Sequence, residues 1–304
     1  MMRGMFEHDH HHVDHSSKQL LIALGFTLSF AAVEGFAGWY ANSLALLGDA
    51  GHMVTDSISL ALAAFAARLS QRPASETLSF GFGRAEVVSA IVNAVFMLVV
   101  VGSIVLHALE RIQHPPEVKG AMVLVVAAIG LLINISIAVI LSRGEKTLNV
   151  RGALLHVMGD LLGSVAALTS GLVILMTGWT PIDPLLSLFI SLLILGSALR
   201  LLREAFHVVM EGVPPEIDLP GVGYSMAKVQ GVRSVHDLHI WRLDSHTIAL
   251  SAHVVVDNLA TWEPVLRRLK QHLDETYRIA HITLQPETIE EIKFPVETLR
   301  RYSE

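Results

Sequence analysis

His52-Met53-Val54-Thr55-Asp56 lies inside one long apolar stretch, and His156-Val157-Met158-Gly159-Asp160 lies inside another. Each sets an imidazole and a carboxylate four residues apart. On a helix that spacing puts both side chains on one face, one turn from each other. Each surrounding stretch is long enough for about 20 residues of membrane-spanning helix. An Asp at the centre of such a span costs roughly 2.5–3.5 kcal/mol on insertion scales. A single copy could do no more than join two helices through a hydrogen bond. Two copies at the same spacing point to one shared task. If the two helices face each other, the four side chains offer two nitrogens and two oxygens around one point. That is a tetrahedral set suited to Zn²⁺.

Outward from this pair, the chain reads as a polytopic membrane protein. Of its 304 residues 52% are hydrophobic and 16% charged, where a soluble protein carries about 25% charged residues. Six spans are expected: Gln19 to Tyr40, Leu44 to Leu69, Ala85 to Ile112, Gly120 to Leu141, Leu148 to Thr177 and Asp183 to Val209. Spans 2 and 5 are rich in small residues such as Ala61, Ala63, Ala64, Gly159, Gly163 and Ser164, which lets helix backbones approach closely. Lys18, Arg68, Arg72, Arg84, Arg143, Lys146, Arg151, Arg200 and Arg203 flank loops on one side, against Arg111 and Lys119 on the other. The positive-inside rule therefore puts both termini in the cytoplasm. The compact loops suggest a bacterial inner membrane. The absence of cysteine excludes disulfides and thiolate ligands, so a metal must be held by His, Asp, Glu or backbone oxygen. A net charge of −6 argues against nucleic acid as a partner, and no organic cofactor is expected.

Four segments are expected along the chain: a tail over 1–16, a transmembrane domain over 17–210, a cytosolic domain over 211–290 and a second tail over 291–304. The first tail, with His8, His10, His11, His12 and His15 among acidic residues, is low-complexity and reads as disordered and metal-collecting. Its acidic start does not resemble a signal peptide. After Pro214-Pro215 the pattern predicts a short helix over 217–229. Strands follow over Val232 to Leu243 and Thr247 to Val256, then an amphipathic helix over Thr261 to Tyr277 and a last strand over Ala280 to Pro286. The order αββαβ gives an α+β domain of about 80 residues, small enough to gain from dimerisation.

Gly48-Asp49-Ala50-Gly51-His52-Met53-Val54-Thr55-Asp56, the run from Leu148 through His156 to Asp160, Val235-His236-Asp237-Leu238-His239-Ile240-Trp241 and His281-Ile282-Thr283-Leu284-Gln285 together resemble the cation diffusion facilitators. The resemblance covers nearly the whole chain. It implies a homodimer in the lipid bilayer that exports divalent metal in exchange for protons. The implied fold is six helices with a ferredoxin-like, metallochaperone-like αββαβ domain in the cytosol. The family's transport-site positions fall on His52, Asp56, His156 and Asp160. A His in both pairs is similar to the zinc-type members, although Cd²⁺ and Co²⁺ accept similar ligands.

Some relatives carry a further zinc site between spans 2 and 3. The loop Ser75 to Arg84 has no histidine, and that site is expected to be absent. Relatives also hold zinc at the cytosolic dimer interface. His236, His253 and Glu287 match one such position, with His281 as a further candidate ligand of the cytosolic domain, while Gln285 replaces a ligand of another. These histidines read equally as ordinary strand residues. The family's charge interlock falls on Arg84 and Glu211, a pair that on an open surface is worth under about 1 kcal/mol.

The two carboxylates of the expected transport site neutralise Zn²⁺ and lower the cost of placing it in the membrane. Ligands must be deprotonated to bind metal, so metal binding releases protons and protons expel metal. Asp49, three residues before His52, could relay protons or anchor the start of span 2. Glu34 and Asn134 read as hydrogen-bond partners between helices, and His207 with Glu211 reads as an ion pair at the membrane exit. Other readings are a membrane-anchored zinc sensor or scaffold, a passive channel, and a membrane metalloenzyme. The last would want a His-Glu-x-x-His arrangement, which does not occur.

Overall fold

The structure, a computed structural model, describes residues 11–143, 148–244 and 247–288, with the side chains of 11–24, 26, 140–141, 143 and 148–156 outside the description. Six long helices come first: α1 (His11–Ala41), α2 (Leu44–Ser70), α3 (Ala85–Gln113), α4 (Gly120–Arg143), α5 (Leu148–Thr177) and α6 (Ile182–Val209). Among the described residues, α2 to α6 are long and apolar enough to cross a membrane. Five of the six expected spans therefore meet that test, and α1, at 31 residues, completes the helical series. The chain divides into two compact units. One holds the described residues up to Ala61 with Asn93–Arg200. The other holds Leu62–Val92 with the described residues from Leu201 onward.

The first unit is arranged inside out relative to a soluble protein. Phe36, Leu106, Leu132, Met176 and Leu192 are exposed, whereas Glu34, Asp49, Asn134, Ser164, Ser170 and Asp183 are buried. Hydrocarbon welcomes the first set, and the second must find partners inside. Asp183, fully buried at the start of α6, shows how. It accepts Ser43 Oγ at 2.6 Å, the Leu44 backbone N–H at 2.5 Å and Ser170 Oγ at 3.0 Å. A carboxylate at the first turn of α2 satisfies donors that the helix cannot and opposes its dipole.

The small residues of spans 2 and 5 lead to an expectation that those two helices pack backbone to backbone. The structure puts that contact on α4 and α5. A Cβ on Gly171 would stand 2.6 Å from the Leu124 nitrogen, and one on Gly120 would stand 3.1 Å from the Gly171 carbonyl. The α2–α5 approach is made by a side chain instead, with Asp49 Oδ1 only 2.5 Å from where a Gly163 Cβ would lie. An acidic side chain needs more room than a backbone, which explains the difference.

In the second unit, α7 (Leu219–Ala227), β1 (Ser234–Arg242), β2 (Ile248–Val255), a 3₁₀ turn (Leu259–Thr261), α8 (Trp262–Tyr277) and β3 (His281–Glu287) give the expected αββαβ order. The sheet order is β1-β2-β3, antiparallel then parallel. The parallel pair requires a crossover, and α8 supplies it. Val265, Leu269 and Leu273, at spacings of four, form the buried face of α8 and join Val222, Met226, Val235, Ile240, Leu250 and Val254 in one core. Arg278, with φ of 57°, ends α8 in the left-handed conformation.

Candidate metal centres

In the first centre, α2 carries His52 and Asp56 one turn apart and α5 carries Asp160. His52 Nε2 lies 3.5 Å from Asp56 Oδ2 and 3.6 Å from Asp160 Oδ1. One ligand atom from each of the three residues lies within 4.8 Å of the others. Each side chain keeps a fifth or less of its surface exposed, so they are shielded yet reachable. His156 sits on α5 one turn before Asp160, and its side chain lies outside the described residues. A cleft of about 610 Å³ adjoins the centre, lined by Asp49, His52, Met158, Gly159 and Gly163 and extending to Arg200. One nitrogen and two carboxylates converging from two helices form an electron-rich set for a small divalent cation.

Asp49 is placed beside this group and is buried. Ser164 Oγ donates to its Oδ2 at 3.5 Å, and Asn134 Nδ2 donates to Ser164 Oγ at 3.1 Å. Asn134 thus joins α4 to α5 as the sequence suggests. Glu34 departs from that expectation. It is fully buried, yet neither carboxylate oxygen has a hydrogen-bond partner among the described residues.

The second centre stands on the sheet. His236 of β1 and His253 of β2 are a cross-strand pair, and Glu287 lies diagonally across on β3, opposite Val255. That register puts all three on one face. His236 Nε2 is 3.0 Å from Glu287 Oε2 and His253 Nδ1 is 2.8 Å from Glu287 Oε1. The three again satisfy the 4.8 Å spacing. Asp237 also belongs here, although its residue type and spacing alone do not single it out. A bulge between His236 and His239 gives Asp237 a φ of 50° and turns its carboxylate towards His239 at 2.9 Å and His253 at 3.7 Å. The structure does not bring His281 to this centre. It pairs with Ala249 at the other end of β3 and packs edge-on against Phe80, ring centres 6.2 Å apart.

Arg84 Nη2 donates to Glu211 Oε1 at 2.9 Å, so the expected interlock pair meets. The expected His207–Glu211 pairing does not form. Helix α6 ends at Val209 and Glu211 takes a φ of 56°, which removes it from the face that His207 occupies. His207 Nε2 contacts the Val213 carbonyl at 2.8 Å instead. Of the tail histidines, His8 and His10 lie outside the described residues. His11, His12 and His15 fall within α1, with their side chains outside the description.

Comparison with known proteins adds to this geometry. The cation efflux transmembrane domain matches residues 20–210, and the cytoplasmic domain of cation efflux proteins matches residues 214–289. The chain is 44% identical over 277 residues to the zinc transporter ZitB of Yersinia pestis, covering 90% of this chain and 88% of that one. It is 39% identical over 288 residues to the cadmium, cobalt and zinc/H(+)-K(+) antiporter of Bacillus velezensis, covering 92% of each. It is 39% identical over 280 residues to the metal cation efflux system protein CzcD of Cupriavidus metallidurans, covering 91% and 89%.

Proposed function

The chain belongs to the cation efflux family, and from that premise we propose that it exports Zn²⁺ from the cytoplasm in exchange for protons. The transported ion binds among His52, Asp56 and Asp160, with His156 as the fourth ligand. The observation that carries this reading is the meeting of three ligand atoms from α2 and α5 within 4.8 Å inside helices that are otherwise apolar. Two carboxylates offset the ion's charge, and the imidazoles set a preference for zinc-like ions over Mg²⁺ or Ca²⁺. Metal and protons compete for the same lone pairs, so each displaces the other. The names of the relatives, which include a zinc transporter and a proton antiporter for cadmium, cobalt and zinc, support both halves of the exchange. Cd²⁺ and Co²⁺ are further substrates on this reading. The activity is transport, with no substrate converted into another compound.

The protein works as a homodimer in the inner membrane with both termini in the cytoplasm. His236, His253 and Glu287 hold one further metal ion per chain in the cytosolic domain, where two nitrogens and an oxygen converge. Arg84 and Glu211 act as the interlock, and the histidines of residues 8–15 collect metal.

Purified protein in liposomes, with zinc and internal pH followed together, tests the proposal. Zinc uptake with opposite proton movement, lost in Asp160→Ala, is the expected result. Zinc binding with no flux in the intact chain would replace the transporter with a sensor. Flux with no proton movement would leave a facilitator.

A further inference from the structure

Glu34 is an acid without a visible task. It is fully buried on α1, both of its oxygens lack a hydrogen-bond partner among the described residues, and it belongs to neither ligand group found there. Space is kept for it. A Cβ on Gly130 of α4 would stand 2.9 Å from Glu34 Oε1 and 3.0 Å from the Phe30 ring. One turn along α4 from Gly130 is Asn134, which donates to Ser164, which donates to Asp49. Asp49 lies three residues before His52, so these polar groups lead towards the metal centre through α4, α5 and α2.

We propose that Glu34 carries one of the protons exchanged for metal, and that Asn134, Ser164 and Asp49 form its polar connection to the centre. The inference rests on the reading of the chain as a proton-coupled exporter. A carboxylate buried without a donor needs a compensating positive charge. A metal ion would require about four ligands, and no described imidazole joins Glu34 in a ligand group. A proton requires one oxygen.

The charged groups along this route are Asp49 on α2 and, beyond it, the carboxylates of Asp56 and Asp160; Gly130 of α4 and Phe30 of its own helix bring no charge. The sign of the coupling follows. A divalent cation bound among the ligands repels the proton held on Glu34, and the proton leaves the carboxyl oxygen for water. When the cation departs, the proton returns. Each ligand thus weakens the other by the same factor, as linkage demands.

The test compares the full-length intact chain, Glu34→Gln, Glu34→Asp and Asp160→Ala in detergent and in liposomes, with zinc alone as the ligand. The slope of log zinc affinity against pH gives the protons released per zinc. The expected slope for Glu34→Gln is lower by about one proton than for the intact chain, with zinc still bound at high pH and the slope restored in Glu34→Asp. An unchanged slope in Glu34→Gln would overturn the inference and leave the exporter intact. Loss of zinc binding in Glu34→Gln to the extent seen in Asp160→Ala would overturn it too, by making Glu34 a ligand. If the intact chain releases no protons, the proton-coupled reading fails and the inference falls with it. Infrared difference spectra of the intact chain guard against a variant that does not fold. Zinc addition at constant pH should remove a protonated-carboxyl band, and that band should be shifted in Glu34→Asp. A spectrum with no such change would overturn the inference.

Discussion

His52, Asp56 and Asp160 meet across two helices, whereas His236, His253 and Glu287 sit on three neighbouring strands of one sheet. The difference shows in the distances. In the helical group the nitrogen-to-oxygen spacings are 3.5 Å within α2 and 3.6 Å across to α5, while on the sheet they are 3.0 and 2.8 Å. Ladder hydrogen bonds fix the register of the strands, so the sheet group has one geometry. Two helices are joined by side chains alone and can shift against each other without breaking backbone hydrogen bonds. A centre that must release its ion is better built between helices, and one that must keep its ion on a sheet.

The comparison breaks first at Asp160. Replacing it with Ala removes one of the two carboxylates of the proposed ligand group. Zinc affinity of the membrane centre should fall by more than the ~100-fold that loss of an outer-shell partner typically causes, and flux in liposomes should vanish. Calorimetry and flux read the two effects. His253→Ala should act differently. It should reduce bound zinc by one per chain at equilibrium while flux continues at a lowered rate. Equal loss of flux in both variants would show that the two centres do not divide the work as proposed.

Acid offers a sharper contrast. Lowering pH should weaken zinc binding at both centres, since each uses imidazole nitrogen. The fall should be steeper in the membrane centre, where more acids surround the ion. Stepwise titration of Asp160→Ala against His253→Ala separates the two curves.

A smaller effect is expected at Gly163. An added methyl would stand 2.5 Å from Asp49 Oδ1, so Gly163→Ala should cost about 1–3 kcal/mol from overpacking and slow transport. Gly159→Ala meets nothing within 4 Å and should gain up to about 1 kcal/mol of helix stability. Thermal unfolding in detergent ranks them. The smallest change belongs to Arg84→Ala, because an exposed pair contributes under about 1 kcal/mol. It should leave the melting temperature nearly unmoved, so any larger loss of flux would mark the pair as functional.

Much of this was legible in the sequence, and the reasons are specific. Apolar length gave the helices, and α8 was plain from the spacing of Val265, Leu269 and Leu273. The two His-x-x-x-Asp repeats marked their helix faces because ionisable groups stand out against apolar neighbours. What stayed hidden depended on backbone turns or on contacts distant in sequence. Asp237 reaches two histidines only because a bulge reverses its φ. Glu211 leaves His207 because α6 stops two residues earlier. Asp183 gave no sign that it would meet Ser43 and Leu44, about 140 residues away. The residue type of Glu34 suggests a bonding partner between helices, and residue type cannot reveal a missing donor.

The anchorage of α2 by Asp183 has a mechanical consequence. It holds the helix at Leu44, whereas Asp56 lies twelve residues further on, about 18 Å at 1.5 Å per residue. The held end is a fulcrum and the ligand end is the tip of a lever. A tilt of about 10° would carry His52 through roughly 2 Å and Asp56 through roughly 3 Å relative to α5, a large part of the 3.6 Å between His52 and Asp160. A motion too slight to disturb the fulcrum is thus large enough to open a coordination sphere.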